Sequence, residues 1–552
     1  MRMLYFSLYF VLLVGCTQSE EVDVNKEEKA EEKPQLNMDK ETAQQDHETN
    51  ASEETEESKL EKAREDLSLE QQPIDILDYS HFHYDETTDV NEHEYHVESF
   101  PEKYSNINGI LTFRGGHLRN SPSFGNSKVI QKKLKKTWWM ATGHSPDWGG
   151  GAGWTGQPVI IEWEPEVKEM MNLKDEYKQK NNFKEVILGS LDGNVYFLDF
   201  ESGEKTRDPI NIGNPIKGSV SVDPRGYPLL YVGDGVPENA EIGWRIYELI
   251  DQTMLHFQKG VDSKAFRSWG AFDSSAIVNR ETDTVVLGGE NGMFYKIGLN
   301  TRFDIENEQI EIQPEVFKYT YQIEGNEYQG IENSVAAYKN IAYFADNGGS
   351  LQALDIRNLQ PMWALPALED TDSTIVIEEE DDVPFLYTGT EVDNIGRDGD
   401  AYLRKIDGLT GEIIWKRNYS AFYYPGVVGG VLATPIVGEN ELEDVVIFTI
   451  ARHQQRYAGI MVALDKETGD EVWTWEMPNY AWSSPVPIYE SDGTSYIIQA
   501  DSVGNIYLLK GATGEILHEI NVGSNIEASP AVYENKIVLA SRGGKIFGIS
   551  IK

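Results

Sequence analysis

From about Lys135 to Lys552 the chain alternates short β-branched, aromatic and aliphatic runs with clusters of Gly, Asp and Asn. That rhythm predicts many short strands joined by tight turns. One strand recurs: GQPVI (156–160), GSVSV (218–222), SSAIV (274–278), NSVAA (333–337), STIVI (373–377), ATPIV (433–437), SSPVP (483–487) and ASPAV (528–532). These copies stand 40 to 62 residues apart, the size of a four-stranded unit with variable loops. Each leads into a second strand, a hairpin turn and a third strand, as in VILGSLDGNVYFLDF (186–200) and IIQADSVGNIYLLK (497–510). Turns such as DG, GN and GG suit the positive φ of primed hairpins.

The last unit stops at Lys552, just after its third strand, while KKLKKTWWMATG (132–143) stands before the first unit and reads as a lone fourth strand. Pairing the two closes a ring without an open sheet edge at the junction. The predicted fold is all-β: an eight-bladed β-propeller of four-stranded antiparallel blades over 135–552, closed by an N-terminal strand and preceded by a lead-in at 101–134. The run GGGAGWTGQPVIIEW contains Gly151, Gly153 and Gly156 at the G-x-G-x-x-G spacing of dinucleotide loops. Such a loop opens a helix. Here Pro158 and a β-branched run follow, so the glycines lead into a strand.

The pattern A-x-D-x-x-T-G-x-x-x-W is complete at Ala463–Trp473 and partial at 353–363, 405–415 and 508–518. It resembles the tryptophan-docking repeat of quinoprotein (PQQ-like) propellers, and FRGGHLRNSP (113–122) resembles their lead-in, so the likeness spans about residues 110–552. The resemblance implies that Trp363, Trp415 and Trp473 dock between blades, and that Thr410–Gly411, Thr468–Gly469 and Thr513–Gly514 make the turns before the outer strands. Two branches share it. One is the dehydrogenases dependent on pyrroloquinoline quinone (PQQ), which need an Asp base, a Ca2+ held by Glu, Asn and Asp, an Arg, a Trp floor and often a disulfide of adjacent cysteines. The other is the non-catalytic, BamB-like lipoproteins.

Charge and cysteine usage narrow the choice. The net charge of −44 disfavours nucleic acid and any general attraction to an anionic membrane. The N-terminus MRMLYFSLYFVLLVGC joins one early cation, an apolar run too short to span a bilayer, and LVGC, which resembles a lipobox; residues 1–15 are read as a lipoprotein signal and Cys16 as the acylated residue. Cys16 is the single cysteine, so no disulfide forms within the chain and cysteine catalysis is excluded. Thr17–Glu70 carries 19 Asp+Glu against 7 Lys+Arg, and 16–100 is read as a disordered acidic tether. His81, His83, His93 and His96 fall in it; they are a polar linker or a metal cluster.

Ligands of a propeller axis come from the loops entering the innermost strands. Counting to one position in each repeat yields Thr155, Lys217, Asp273, Glu332, Asp372, Leu432, Trp482 and Glu527. Of these, Lys217, Asp273, Glu332, Asp372, Trp482 and Glu527, with Asn333 and Trp154, form a candidate axial ligand or ion site that holds a cation, faces a basic partner, or only solvates the channel mouth. Asp393, Asp398 and Asp400 are a candidate Ca2+ loop with no EF-hand spacing. The chain shows no nucleophile elbow, H-E-x-x-H or P-loop. The function expected is a monomeric, membrane-anchored extracytoplasmic lipoprotein whose propeller is a non-catalytic binding or scaffold module, without a cofactor, for envelope proteins or cell-wall material with a basic surface. The alternatives are a PQQ- and Ca2+-dependent alcohol or sugar dehydrogenase, and a ligand- or Ca2+-sensing propeller.

Overall fold

The computed structural model describes residues 72–83, 99–154 and 156–552. Eight antiparallel blades follow one another around an axis. Blade six is typical: Ile436–Val437 lies innermost, followed outward by Val445–Ala451, Gly459–Asp465 and Glu471–Met477. Blade eight confirms the mixed closure. Ala531–Tyr533, Lys536–Ser541 and Lys545–Ile551 take Leu134–Ala141 as their outer strand, with Ile551 opposite Leu134 and Ile546 opposite Met140.

The recurring inner strand owes its hydroxyl residues to the ring. The backbone N–H of Ser275 donates to Ser334 Oγ, that of Ser334 to Thr374 Oγ1, and that of Thr374 to Thr434 Oγ1. Thr434 donates likewise to Ser484 Oγ, and Ser484 to Ser529 Oγ. Each blade thus satisfies a buried N–H of the blade before it, at one side chain per repeat. In blade one Gln157 holds the corresponding place; its N–H donates to Ser219 Oγ and its side chain reaches Pro530 O in blade eight.

The docking motif works on the outer rim. Asp465 Oδ1 accepts the N–H groups of Glu467 and Thr468, which folds the turn so that Gly469 sits at φ 74°. Trp415 of the preceding blade lies on that glycine and donates from Nε1 to Lys466 O at 2.9 Å. A Cβ at Gly469 would stand 2.8 Å from Trp415 Cδ2, so the turn glycine serves both backbone and packing. Trp363 sits on Gly411, and Trp473 on Gly514, in the same way. Trp138, on the closing strand, sits on Gly203 and bonds Phe200 O at 3.1 Å, so the same device seals the last blade to the first.

The lead-in runs on the inside of the ring. Gly109–Ile110 pairs with the inner strand of blade one, and Ser123–Phe124 lies parallel to that of blade eight. Between them Arg114 and Arg119 are fully buried on the axis. Arg119 donates to Val335 O, Ser275 O, Phe113 O and Thr112 Oγ1 at 2.7–2.9 Å. Arg114 reaches Pro485 O and Pro435 O. Two guanidinium groups therefore gather inner-strand carbonyls from four blades, one end of the bore is plugged, and the other end remains as a cup.

One expectation changes. The composition predicts a tether to residue 100, but Asp78–His83 is a strand laid antiparallel on the outer edge of blade three, against Glu315–Gln322, and Ile74 bridges to Ala364. Main-chain pairing with an existing sheet edge orders a sequence whose side chains would not order it alone. The signal, Cys16, His93 and His96 lie outside the described residues. The glycine run enters a strand, as its flanking residues predict: it crosses from blade eight to blade one, where a Cβ on Gly151 would meet Ser541 O at 1.7 Å. No helix among the described residues is long and apolar enough to cross a membrane.

Candidate functional site

The open end of the bore is built by two sets of loops. One enters the innermost strands; the other joins the second strand of each blade to the third. The first set carries the residues found by counting repeats, and the register holds: Lys217, Asp273, Glu332, Asp372, Leu432, Trp482 and Glu527 all stand two residues before the inner-strand position held by the hydroxyls. Thr155 lies outside the described residues.

Lys217 is the centre of the acidic wall. Its Nζ lies 2.6 Å from Asp273 Oδ2, 3.3 Å from Glu332 Oε1 and 3.9 Å from Glu290 Oε1. Oxygens of Asp273, Glu290 and Glu332 come within 4.8 Å of one another, a group able to hold a metal ion. Trp269 donates from Nε1 to Glu290 Oε2 at 2.6 Å and orients it. Asn347 donates to Glu332 Oε2 at 3.0 Å and to Asp370 Oδ1 at 3.3 Å. That amide links the group to a second one formed by Asp370, Asp372 and Glu391.

Charge is crowded here. Burial opposes the Lys217 ammonium, but Asp273, Glu290 and Glu332 hold its pKa well above the usual range. Glu290 is pushed well up by burial and by Glu332, and Asp370 by burial and by Asp372. Asp372 rises to about 7 through burial and Glu332, and Glu391 is raised by burial and Asp372. Buried carboxyls this close hold protons at neutral pH unless a cation joins them. Asp372 and Glu391 face each other and share a proton in a hydrogen bond.

The opposite wall, from blades six to eight, is aromatic and basic. Arg452 lies over Tyr480 at 4.0 Å and Trp482 at 5.6 Å. Glu527 is paired with Arg542 at 3.4 Å and accepts from Asn525 Nδ2 at 2.8 Å. Trp154 stands beside Lys217, its ring 6.0 Å from Nζ, and lines the cup. Leu432 is buried.

Several candidates do not reach the cup. The amide of Asn333 is consumed by backbone: Nδ2 donates to Ala345 O and Thr371 O, and Oδ1 accepts from the N–H of Ala345. Asp398 is exposed and Asp400 half-buried, and they do not join Asp393 in any metal-holding group among the described residues. His81 lies on the added strand of blade three, away from the axis. Counting inner strands missed Glu290, Asn347, Asp370, Glu391, Arg452 and Arg542. Five of these follow a second strand within two residues, in GGENG, ADNGG, GTEVD, IARHQ and ASRGG, and a second count at that position would have found them.

The sequence family described as outer membrane protein assembly factor BamB matches residues 458–552, from the third strand of blade six onward. Over 89 residues the chain is 33% identical to outer membrane protein assembly factor BamB of Kangiella koreensis, 16% of this chain and 22% of the relative. The match thus spans about a fifth of that relative. Among solved structures, quinohemoprotein alcohol dehydrogenase ADHIIG from Pseudomonas putida HK5 superposes with a TM-score of 0.54, at 11% identity, over 80% of each chain, a likeness of fold. BamB from Moraxella catarrhalis gives a TM-score of 0.45 at 17% identity, covering 71% of this chain and 98% of that one.

Proposed function

Because this chain is a PQQ-like β-propeller, we propose that it is a non-catalytic binding and scaffold module of a bacterial cell envelope, held at the extracytoplasmic face by a lipid on Cys16. Its axial cup receives a cationic group of an envelope protein. The observation that carries this reading is the convergence of Asp273, Glu290, Glu332, Asp370, Asp372 and Glu391 in one cup, six carboxyls answered on that wall by Lys217 and Arg267. Complementary charge at such a site gives specificity and a fast encounter. Exposed Phe266, Tyr328, Ile395, Tyr424 and Tyr457 stand on loops of the same face and suit the apolar part of a protein interface. The relatives' description as assembly factors agrees with an envelope-protein partner.

PQQ fits this cup poorly. The quinone carries three carboxylates; the acidic wall repels them, Lys217 is already engaged by Asp273, and on the opposite wall Arg542 is paired with Glu527, which leaves Arg452. Cross-linking in intact envelopes tests the proposal: the wild-type chain captures a partner that D370N/D372N/E391Q loses. Stoichiometric binding of PQQ with Ca2+ and dye-linked oxidation of an alcohol or sugar would overturn it. A second reading, cation sensing, draws support from the close oxygens of Asp273, Glu290 and Glu332. It requires a rise in melting temperature with Ca2+ that D273N/E332Q abolishes.

A further inference from the structure

The outer edge of blade eight inverts the charge of the molecule. KVIQKKLKK (128–136) carries five lysines and no acid, in a chain with 92 Asp+Glu against 48 Lys+Arg. Lys132, Lys133, Lys135 and Lys136 are exposed, and among the described residues none of them forms an ion pair. Leu134–Ala141 is the outermost strand of its blade, so these side chains stand at the rim of the disc. At the same edge Lys545 lies over the Trp139 ring at 4.8 Å. Trp139 is 61% exposed and Ile130 84% exposed. A groove of about 330 Å³ runs beside Trp139, lined by Lys136, Trp138, Trp139, Lys545, Val522 and Phe547.

The closing role of this strand does not require that composition. Trp138, on the other face, performs the blade docking. Lys135 and Trp139 are exposed, and the pairing of the strand would accept any polar residue there. A strip of exposed ammonium groups without a carboxylate partner among the described residues, of which Lys136 donates to Asn521 O, surrounds a solvent-facing indole with an apolar groove beneath and matches the surface of an anionic bilayer. Phosphate headgroups answer the lysines, and Trp settles at the headgroup level.

We propose that the rim of blade eight is a docking edge for anionic phospholipid, and that it sets the propeller on its side against a membrane. The net charge of −44 does not forbid this. The Debye length is about 8 Å at physiological salt, so the lipid surface responds to the local strip, not to the whole chain. Docking on the rim leaves the axial cup facing along the membrane plane, open to a partner. The edge uses no residue of the cup and acts with or without acylation at Cys16.

The test is sedimentation of the full chain carrying C16S, so that no acyl chain contributes, with vesicles of phosphatidylcholine alone and with added phosphatidylglycerol. Phosphatidylglycerol is expected to increase binding strongly, and 1 M salt to remove the increase. Each lysine neutralised is expected to weaken it about fivefold, so K132Q/K133Q/K135Q/K136Q loses more than a hundredfold. W139A weakens binding further, and melting curves for both variants stay at the wild-type position because these side chains are exposed. Any contribution of the apolar N-terminus is common to all variants and is measured by the phosphatidylcholine arm. Equal binding to both vesicle types, or equal binding by the quadruple variant, overturns the proposal. So does retention of the chain by a soluble glycerol-phosphate polymer but not by vesicles, which would make the edge a site for a wall polyanion.

Discussion

Arg119 offers the sharpest test of how the ring is held together. The side chain is fully buried and donates to three backbone carbonyls, Val335 O, Ser275 O and Phe113 O, and to Thr112 Oγ1. The variants Arg119→Met and Arg119→Ala remove the donors; methionine also fills most of the volume. Replacing a buried ion by an apolar group of similar size is often neutral when its partner leaves with it. Here the partners are main-chain carbonyls that cannot leave. Each is stranded at about 1–3 kcal/mol, so three cost about 3–9 kcal/mol. Relief of the guanidinium desolvation returns several kcal/mol of that. The expected net loss is about 4 kcal/mol for Arg119→Met and more for Arg119→Ala, which adds a cavity. For a ring of about 450 residues the unfolding entropy is roughly 0.9 kcal/mol/K, so Tm should fall by about 4 °C, with a greater fall for Arg119→Ala. Calorimetry and urea midpoints measure both. A methionine variant that melts within 1 °C of wild type, at an unchanged urea midpoint, would refute the reasoning: the plug would then be packing, with no role for directed hydrogen bonds.

Other predictions concern the rim and the cup. Gly469→Ala combines positive-φ strain with a clash against Trp415 and should destabilise by about 2–4 kcal/mol, whereas Gly426→Ala, also at positive φ but with nothing near its Cβ, should cost about 1 kcal/mol; thermal melts compare them. Burial raises Asp372 to about 7 from an unfolded value near 4, so its proton stabilises the fold at acid pH and that contribution is lost as pH climbs to 7. Wild type should therefore lose up to about 1.4 kcal/mol per pH unit relative to Asp372→Asn between about pH 4 and 7, read from paired melting curves. Lys217→Met takes the ammonium away from Asp273, Glu290 and Glu332; it should destabilise by about 3–5 kcal/mol at pH 8, less at pH 5 where the raised Asp273 and Glu290 take protons, and millimolar Ca2+ should restore the pH 8 melt.

Much of the fold was legible because a propeller repeats itself. The inner-strand copies, the hairpin turns and the Trp motif are local patterns, each set by a few neighbouring residues, and the unmatched strand at each end dictated the closure. The same regularity put Asp273, Glu332 and Asp372 on the axis to the correct residue. The inner-strand period does not visit the loop after each second strand, which holds Glu290 and Glu391, or the position two before Asp372, which holds Asp370, and nothing in a hairpin turn marks which acids face inward. Asn333 misleads for the opposite reason: it sits beside a ligand position, but its amide is committed to the backbone of Ala345 and Thr371.

The sequence by itself determined the number of blades, the order of strands within each, the seat of Trp415 near a turn glycine and the acidity of the axial ring. These follow from period, turn chemistry and residue type, which act over a few residues and recur. Only the tertiary structure decided that Arg114 and Arg119 plug the bore, that Lys217 stands among three carboxylates, and that Asp78–His83 forms an extra strand on blade three. It likewise decided that the lysines of the closing strand line an exposed edge. Those facts depend on which loops meet after ring closure, and groups brought together across 40 or more residues leave no periodic trace in the chain.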